Sequence, residues 1–333
     1  MYQVRTDLAL EAREKFEEDN VEIKGVRLTE EQATPDIQIS SVVIETENGA
    51  KAMGKPKGSY VTLEAPNMIE EDEGYHREIS VQLSRVLKRL LPKDGEFTTL
   101  VVGLGNRAVT PDSLGPRVVD NLCVTRHIIK EFGKYVIGDR CHKPVSSIVP
   151  GVMAQTGMES MEIVRGITKE TKPDVIIAVD ALAARSTRRL NRTIQVTDTG
   201  INPGSGVGNH RHALNEESIG IPVIAIGIPT VVDAATIVID TMNNLLDAMS
   251  QAEQLRQIGS SYKQLDMMEK YELVRELLTP QLNTLFVTPK DVDEAVKEAG
   301  EYGADKIYVV KGDEYENYSA DAYGNVFLKL CEK

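Results

Sequence analysis

The sequence predicts an α/β protein, a mainly parallel β-sheet flanked by helices, and three apolar runs carry that expectation. TLVVGLG (99–105), DVIIAVDALAA (174–184) and IPVIAIGIP (221–229) are nearly continuous in apolar residues and rich in β-branched ones. Strands covered on both faces read this way, because neither face needs polar residues for water. Helical spacing follows the first run at 114–132 (LGPRVVDNLCVTRHIIKEF) and the third at 231–249 (VVDAATIVIDTMNNLLDAM). A polar, arginine-rich segment follows the second.

The flanking elements are read in chain order. Residues 1–20 form a short polar tail and a charged amphipathic piece. From Val21 to about Leu63 the pattern alternates, as in IQISSVVIETE and SYVTLEA, which predicts strands or hairpins decorating the sheet. Residues 76–91 (HREISVQLSRVLKRLL) repeat apolar side chains at helical spacing and stop before Pro92. After residue 250, MEKYELVRELL and PKDVDEAVKEAGEYG are amphipathic helix patterns, and 306–330 reads as two short strands around a polar loop. No repeat or low-complexity linker interrupts the 333 residues.

Composition excludes several classes of function. The net charge is -13, aromatics are 5% and tryptophan is absent. A phosphate-binding surface needs a basic excess, so direct binding of nucleic acid is not expected. Cys123, Cys141 and Cys331 stand at neither metal-ligand nor redox spacing, which fits idle thiols in a reducing compartment. The N-terminus lacks the apolar core of a signal peptide, and no run reaches the roughly 20 apolar residues of a membrane helix. A cytoplasmic protein without membrane attachment is expected.

In an open α/β sheet, ligands bind outside the carboxyl ends of the strands. Asp112, Asp180 and Asp233 lie at or just past the three runs and are the candidates for one crevice. Two neighbouring carboxyls cannot both ionise cheaply, so one keeps a proton while the other stays a base. Such a pair activates water against an amide carbonyl and protonates the departing nitrogen. Asp112 capping a helix that begins at Ser113, and Asp180 bonding a loop, are the plainer alternatives. GLGN (103–106) and PGSGVGN (203–209) lack the Gly-Lys-Ser/Thr ending of a phosphate loop and read as tight turns. The Asp198-Thr199-Gly200 triplet has polar flanks and is discounted. His210 and His212 are an incomplete metal site, and Ser205 fits a nucleophile pattern loosely.

Longer motifs resemble a known family. VVGLGNRAVTPDSLGP, PGVMAQTGMES, DVIIAVDALAARSTRRLNRTIQVTDTGINPGSGVGN and GIPVIAIGIPTVVDAATI are similar to the germination proteases of spore-forming Firmicutes. GKPKGSYVTLEAPN and LLTPQLNTLFVTPKDVD add to the resemblance, which runs from about residue 4 to 295. It implies a core like that of the peptidases that mature nickel-iron hydrogenases, with added N-terminal strands and C-terminal helices. It also implies an atypical aspartic peptidase whose catalytic acids are Asp112 and Asp180, with Asp233 left to start a helix or support the site. No cofactor is implied.

The resemblance further implies a homotetrameric zymogen in the spore core, acting on small acid-soluble spore proteins. The family cuts after an acidic residue, before an apolar one followed by alanine. Arg5-Thr6-Asp7-Leu8-Ala9 fits, so self-cleavage is expected between Asp7 and Leu8; a capped helix start is the alternative. Residues 1–7 are then a propeptide that blocks the site, 8–295 one protease domain, and 296–333 a divergent extension. The basic subsite for the acidic residue falls to Arg185, Arg188 and Arg189, with Arg192 beside them, unless they form a solvated face. A metal-dependent peptidase using the same acids as ligands, and a catalytically silent protein that holds spore proteins, are the rival readings.

Overall fold

A computed structural model describes residues 6–18, 23–70, 72–93, 97–133, 143–203 and 212–249, with short pieces at 264–266, 269–270 and 286–287. The three apolar runs become the centre of one sheet: β4 (Thr99–Gly103), β6 (Val175–Ala184) and β8 (Val223–Asp233). Adjacent strands there are parallel, with Val101 opposite Ile177 and Ile177 opposite Ile224. β5 (Val145–Ile148) extends the parallel edge beyond β4. On the other side β7 (Thr193–Thr197) pairs antiparallel with β8. β3 (Gly58–Glu64), β2 (Ile37–Ile44) and β1 (Val26–Thr34) continue outward, each antiparallel to its neighbour. The N-terminal strands are thus part of the main sheet. The outermost, β1, carries Thr29-Glu30-Glu31-Gln32 to solvent, and charge on an edge strand discourages pairing with another chain.

Both faces of the centre are covered, as the apolar runs require. On one, α3 (Glu73–Leu90) sets Tyr75, Ile79, Leu83, Val86 and Leu87 into a core with Val101, Ile177 and Ile226. Asp72 caps it by accepting a hydrogen bond from Tyr75 N at 3.1 Å. On the other, Val164 of α7 (Ser160–Thr171) meets Leu100, Val102, Ile176 and Ala178. Each fully buried Leu or Ile contributes about 1.5–3 kcal/mol. Two shorter helices, α1 (Ala9–Glu18) and α2 (Glu47–Met53), close a smaller cluster in which Ala9 and Leu10 meet Val42, Ile44, Met53 and Tyr60.

Some expected elements differ in detail. The helix over 114–132 is two, α4 (Leu114–Asp120) and α5 (Arg126–Phe132). The break arises because Thr125 turns to β5: its N–H donates to Val145 O (3.0 Å) and its Oγ1 accepts from Val145 N (2.9 Å). The arginine-rich stretch becomes a 3-10 turn at Thr187–Arg189 and then β7. β8 runs on to Asp233, so the helix expected from Val231 begins at Ala234 as α9 (Ala234–Met249). Between α5 and α9 lie two one-turn helices, α6 (Met153–Thr156) and α8 (Glu216–Ile219); β9 (Phe286–Val287) pairs with the end of β8. The remaining C-terminal helix patterns, the two tail strands and the boundary at residue 296 lie almost wholly outside the described residues. Among those described, no helix is long and apolar enough to cross a membrane.

α4 lies directly on the strand ends that carry the crevice. A Cβ on Gly115 would stand 2.3 Å from Leu104 O and 2.5 Å from Val179 O, both backbone atoms that cannot yield. Gly115→Ala is expected to cost about 1–3 kcal/mol, read as a lower urea midpoint. An unchanged midpoint would mean that α4 is not held this closely.

Candidate active site

Past β4, the chain turns at Gly103-Leu104-Gly105-Asn106. Leu104 N donates to Val179 O (2.8 Å), carrying the β4–β6 ladder one step further. Gly105 has φ 111°, and a Cβ there would sit 2.0 Å from the carbonyl oxygen of Asp112. Only glycine lets the two backbones approach this closely. Asp112 ends a 3-10 turn, Thr110–Asp112, and its Oδ2 accepts from Asn106 N at 2.8 Å. It therefore reaches back to the glycine turn; α4 has Ser113 at its cap position, with no side-chain cap bond. From β8, Thr230 Oγ1 donates to Pro111 O (2.6 Å) and fixes the turn from the other side. Thr230 sits where the β6–β8 register slips between Leu182 and Ala183. A bulge of this kind re-aims a side chain beside a site.

Asp180 lies on β6 and is 5% exposed, with Oδ1 accepting from Ala181 N at 2.9 Å. Asp112 and Asp180 line one cavity of about 200 Å³, together with Asp7, Gly105, Ala183 and Thr230. Asp233 does not line it. Its Oδ1 accepts from Thr236 N (3.0 Å) at the start of α9, which is helix-start work. The cavity thus brings together two of the three acids past the strands and adds Asp7.

Asp7 arrives by way of the sheet. β4 follows β6 only as far as Val179, and beyond it the N-terminal segment takes the edge of β6. Asp7 N donates to Ala183 O (3.0 Å), while Ala183 N donates to Asp7 Oδ2 (2.9 Å). Further along, Arg185 N donates to Glu11 Oε2 (2.7 Å). The carbonyl oxygen of Asp7 accepts from Lys55 Nζ (2.9 Å) and Gln195 Nε2 (3.1 Å). Ala9 N donates to Gln195 Oε1 at 2.7 Å. Leu8 is fully buried among Leu182, Ala184, Leu190, Val232 and Ile237. Residues 6–9 are thus held by main chain, side chains and an apolar pocket together.

Of the arginines expected to serve as a basic subsite, Arg185 and Arg189 face α1. Arg189 forks onto Glu14 (2.5 and 2.8 Å), and also meets Glu64 (3.1 Å) and Glu11 (3.4 Å). Burial works against its charge, but Glu14, Glu11 and Glu64 outweigh it and push the guanidinium above its ordinary value. Arg185 is buried, with Nη2 3.9 Å from Glu14, and Arg188 is exposed. None of the three lines the cavity.

Burial raises the pKa of Glu11, against the opposing pull of Arg189, Thr6 and Arg185. The folded chain therefore holds this proton better than the unfolded chain does. The resulting stability is full below the ordinary glutamate value of about 4.3 and is lost as pH rises through the elevated one. Acidifying from neutral pH is expected to raise the stability of the wild type relative to Glu11→Gln, measured by urea unfolding at several pH values. A difference that moves the other way would show Glu11 to be a stabilised carboxylate.

Lys55, Gln195 and Glu11 had not been singled out in the sequence. One carries a signal: Glu11 is an acid in the otherwise apolar LALEA, whereas the strand that buries Gln195 is not marked in the sequence. Lys55, in the GKPKG motif, gives no local sign of its target. Of the other motifs, Asp198 accepts from Ser59 N (2.8 Å) in an exposed turn, and His212 Nδ1 is bonded to Glu159 Oε2. Ser205 and His210 lie outside the described residues, as do Cys141 and Cys331; Cys123 is exposed and unpaired with another cysteine. Among the described residues no group of three or more His, Cys, Asp or Glu is placed to hold a metal ion.

Comparison with known proteins places these features in a family context. The profile of a family described as germination protease matches residues 4–261. The chain is 48% identical over 297 residues to the germination protease of Caldanaerobacter subterraneus subsp. tengcongensis, covering 88% of this chain and 90% of that one. With the germination protease of Clostridium perfringens it shares 45% over 311 residues, covering 93% and 95%. Among solved structures, the [NiFe] hydrogenase maturation protease HycI from Thermococcus kodakarensis KOD1 is 19% identical with a TM-score of 0.26, covering 44% of this chain and 80% of that one.

Proposed function

Since the chain belongs to the germination protease family and is therefore a peptidase of spore germination, we propose that it is the self-processing precursor of an aspartic endopeptidase acting on small acid-soluble spore proteins. One observation carries this reading. Asp7, at the expected cut, shares a cavity with Asp112 and Asp180. Of those two acids, the ionised one takes a proton from water as the oxygen attacks the peptide carbonyl. The protonated one gives its proton to the departing nitrogen as the C–N bond breaks.

The position of residues 6–9 supports the precursor state. An extended substrate adds to a free sheet edge through main-chain hydrogen bonds, and the chain's own N-terminus holds that edge of β6. The homotetramer and the spore core enter from the family resemblance and belong to the same proposal.

The full chain, incubated at mildly acid pH with and without chelator and read by intact mass and N-terminal sequence, tests it. One new N-terminus at Leu8, indifferent to chelator, is expected. Cutting that chelator stops would make the two acids metal ligands. A chain that never cuts yet retains acid-soluble spore proteins would be a binding protein.

A further inference from the structure

Gln195 is a polar side chain in a strand whose five residues are all buried, and a buried amide needs partners on both of its ends. It finds them on one short stretch of main chain. Nε2 donates to Asp7 O (3.1 Å) and Oε1 accepts from Ala9 N (2.7 Å), the two groups that flank Leu8. In a parallel β-ladder, the N–H and C=O of one residue serve the C=O and N–H on either side of the residue opposite. The Gln195 amide reproduces that pattern with a side chain, so it reads peptide main chain whatever the sequence. Lys55 Nζ adds a second, charge-assisted donor to the same carbonyl at 2.9 Å.

The side chains of the held stretch are sorted around this pair. The acid of residue 7 meets Ala183 N on the β6 edge, beside the cavity of Asp112 and Asp180. The side chain of residue 8 fills an apolar pocket of Leu182, Ala184, Leu190, Val232 and Ile237. At residue 9 an N–H is required and the side chain is not read by Gln195. An acid, an apolar residue and a small residue with an N–H satisfy all three positions, because the Ala9 side chain is fully buried in a cluster with Val42, Ile44, Met53 and Tyr60.

We propose that Lys55 and Gln195 are substrate-binding residues, a main-chain clamp that grips a peptide on either side of an apolar residue, and that in the processed enzyme an extended stretch of substrate with an acid and an apolar residue at the first two positions takes the place of residues 7–9. The clamp rests on the endopeptidase reading above for its purpose, and on its own contacts for its grip.

The test uses the full chain and the appearance of the Leu8 N-terminus. Gln195→Ala removes the amide. Ala9→Pro removes the N–H from which Gln195 Oε1 accepts; Ala9 is the first residue of α1, where the helix backbone tolerates proline, and the ring also enters the buried cluster around Ala9. One lost hydrogen bond corresponds to about tenfold at most, so Ala9→Pro is expected to cut about five- to tenfold more slowly, and Gln195→Ala, which loses two, at least as slowly. The double variant is expected to be no slower than Gln195→Ala, because the bond that Ala9→Pro removes is one of the two that Gln195→Ala already removes. Lys55→Met is expected to slow cutting and to yield new N-termini at neighbouring bonds.

Cutting at the wild-type rate and place in Gln195→Ala and Ala9→Pro would overturn the clamp, as would slowing that multiplies in the double variant. Faster cutting would make the pair a latch and overturn it too. If Asp180→Asn still cuts while Gln195→Ala is slow, the acid pair falls and the clamp stands. If no chain cuts, the endopeptidase reading falls, and hydrogen exchange decides the clamp. Faster exchange at residues 7–9 in Gln195→Ala upholds it, and unchanged exchange overturns it.

Discussion

Replacing either acid of the pair by its amide, Asp112→Asn or Asp180→Asn, is expected to slow peptide-bond cutting by a factor on the order of 10²–10⁴. The urea midpoint is expected to move little. Both expectations follow from how each carboxyl is held. Asp112 uses Oδ2 to accept from Asn106 N, and Asp180 uses Oδ1 to accept from Ala181 N. An asparagine keeps an oxygen for each of those bonds, so the turn and the strand end remain anchored. It neither takes a proton from water nor gives one to an amine at neutral or mildly acid pH. The two losses should not multiply in the double variant, because the acids act as one unit. The rate at which the Leu8 N-terminus appears is the measurement. A single variant that cuts within about threefold of wild type would move the chemistry elsewhere in the cavity.

The second large effect concerns stability. Arg189 ties Glu11 and Glu14 of α1 to Glu64 of β3, and its side chain is 12% exposed. Glu11 is fully buried, and its Oε1 makes no hydrogen bond but lies 3.4 Å from the guanidinium. Arg189→Met strands that carboxyl in the interior. Removing one partner of a buried pair costs about 3–5 kcal/mol, most of it the penalty on the charge left behind. Adding Glu11→Gln to Arg189→Met is expected to recover part of the loss, since no lone charge then remains. Urea unfolding of the two variants reads both effects. A loss below about 1 kcal/mol for Arg189→Met would place this cluster with surface ion pairs of small worth.

The centre of the fold was legible because β4, β6 and β8 are buried on both faces, which leaves continuous apolar runs in the sequence. β7 was not, since Thr193–Thr197 is only five residues long and follows an arginine-rich turn. The break before α5 was equally hidden: the apolar period runs through it, and only the pairing of Thr125 with β5 interrupts the helix. Asp112 and Asp180 could be nominated from position alone, because strand ends are where open α/β sheets place their ligands. Asp233 satisfied the same rule, and only its bond to Thr236 N distinguishes it as a cap. The arginines were visible as a cluster, but their targets on α1 are long-range contacts with no local mark. Lys55 and Gln195 come from separate elements and meet only over the docked N-terminus, so spacing carries no trace of them.

The burial of Leu8 has a consequence for what happens after a cut. Hydrolysis after Asp7 turns the amide nitrogen of Leu8 into an ammonium, charged at mildly acid pH because free α-amino groups have pKa values near about 8. The Leu8 side chain fills the apolar pocket, while its nitrogen donates to Thr6 Oγ1 (3.0 Å); the proposed cut places the new ammonium there and a new carboxylate on Asp7, beside Lys55. No covalent bond then aims Leu8 at its pocket. Exchange at residues 8–11 should therefore be faster in the cut chain than in the precursor. On the proposed mechanism the cut trades a covalent tether for contacts that can open and close.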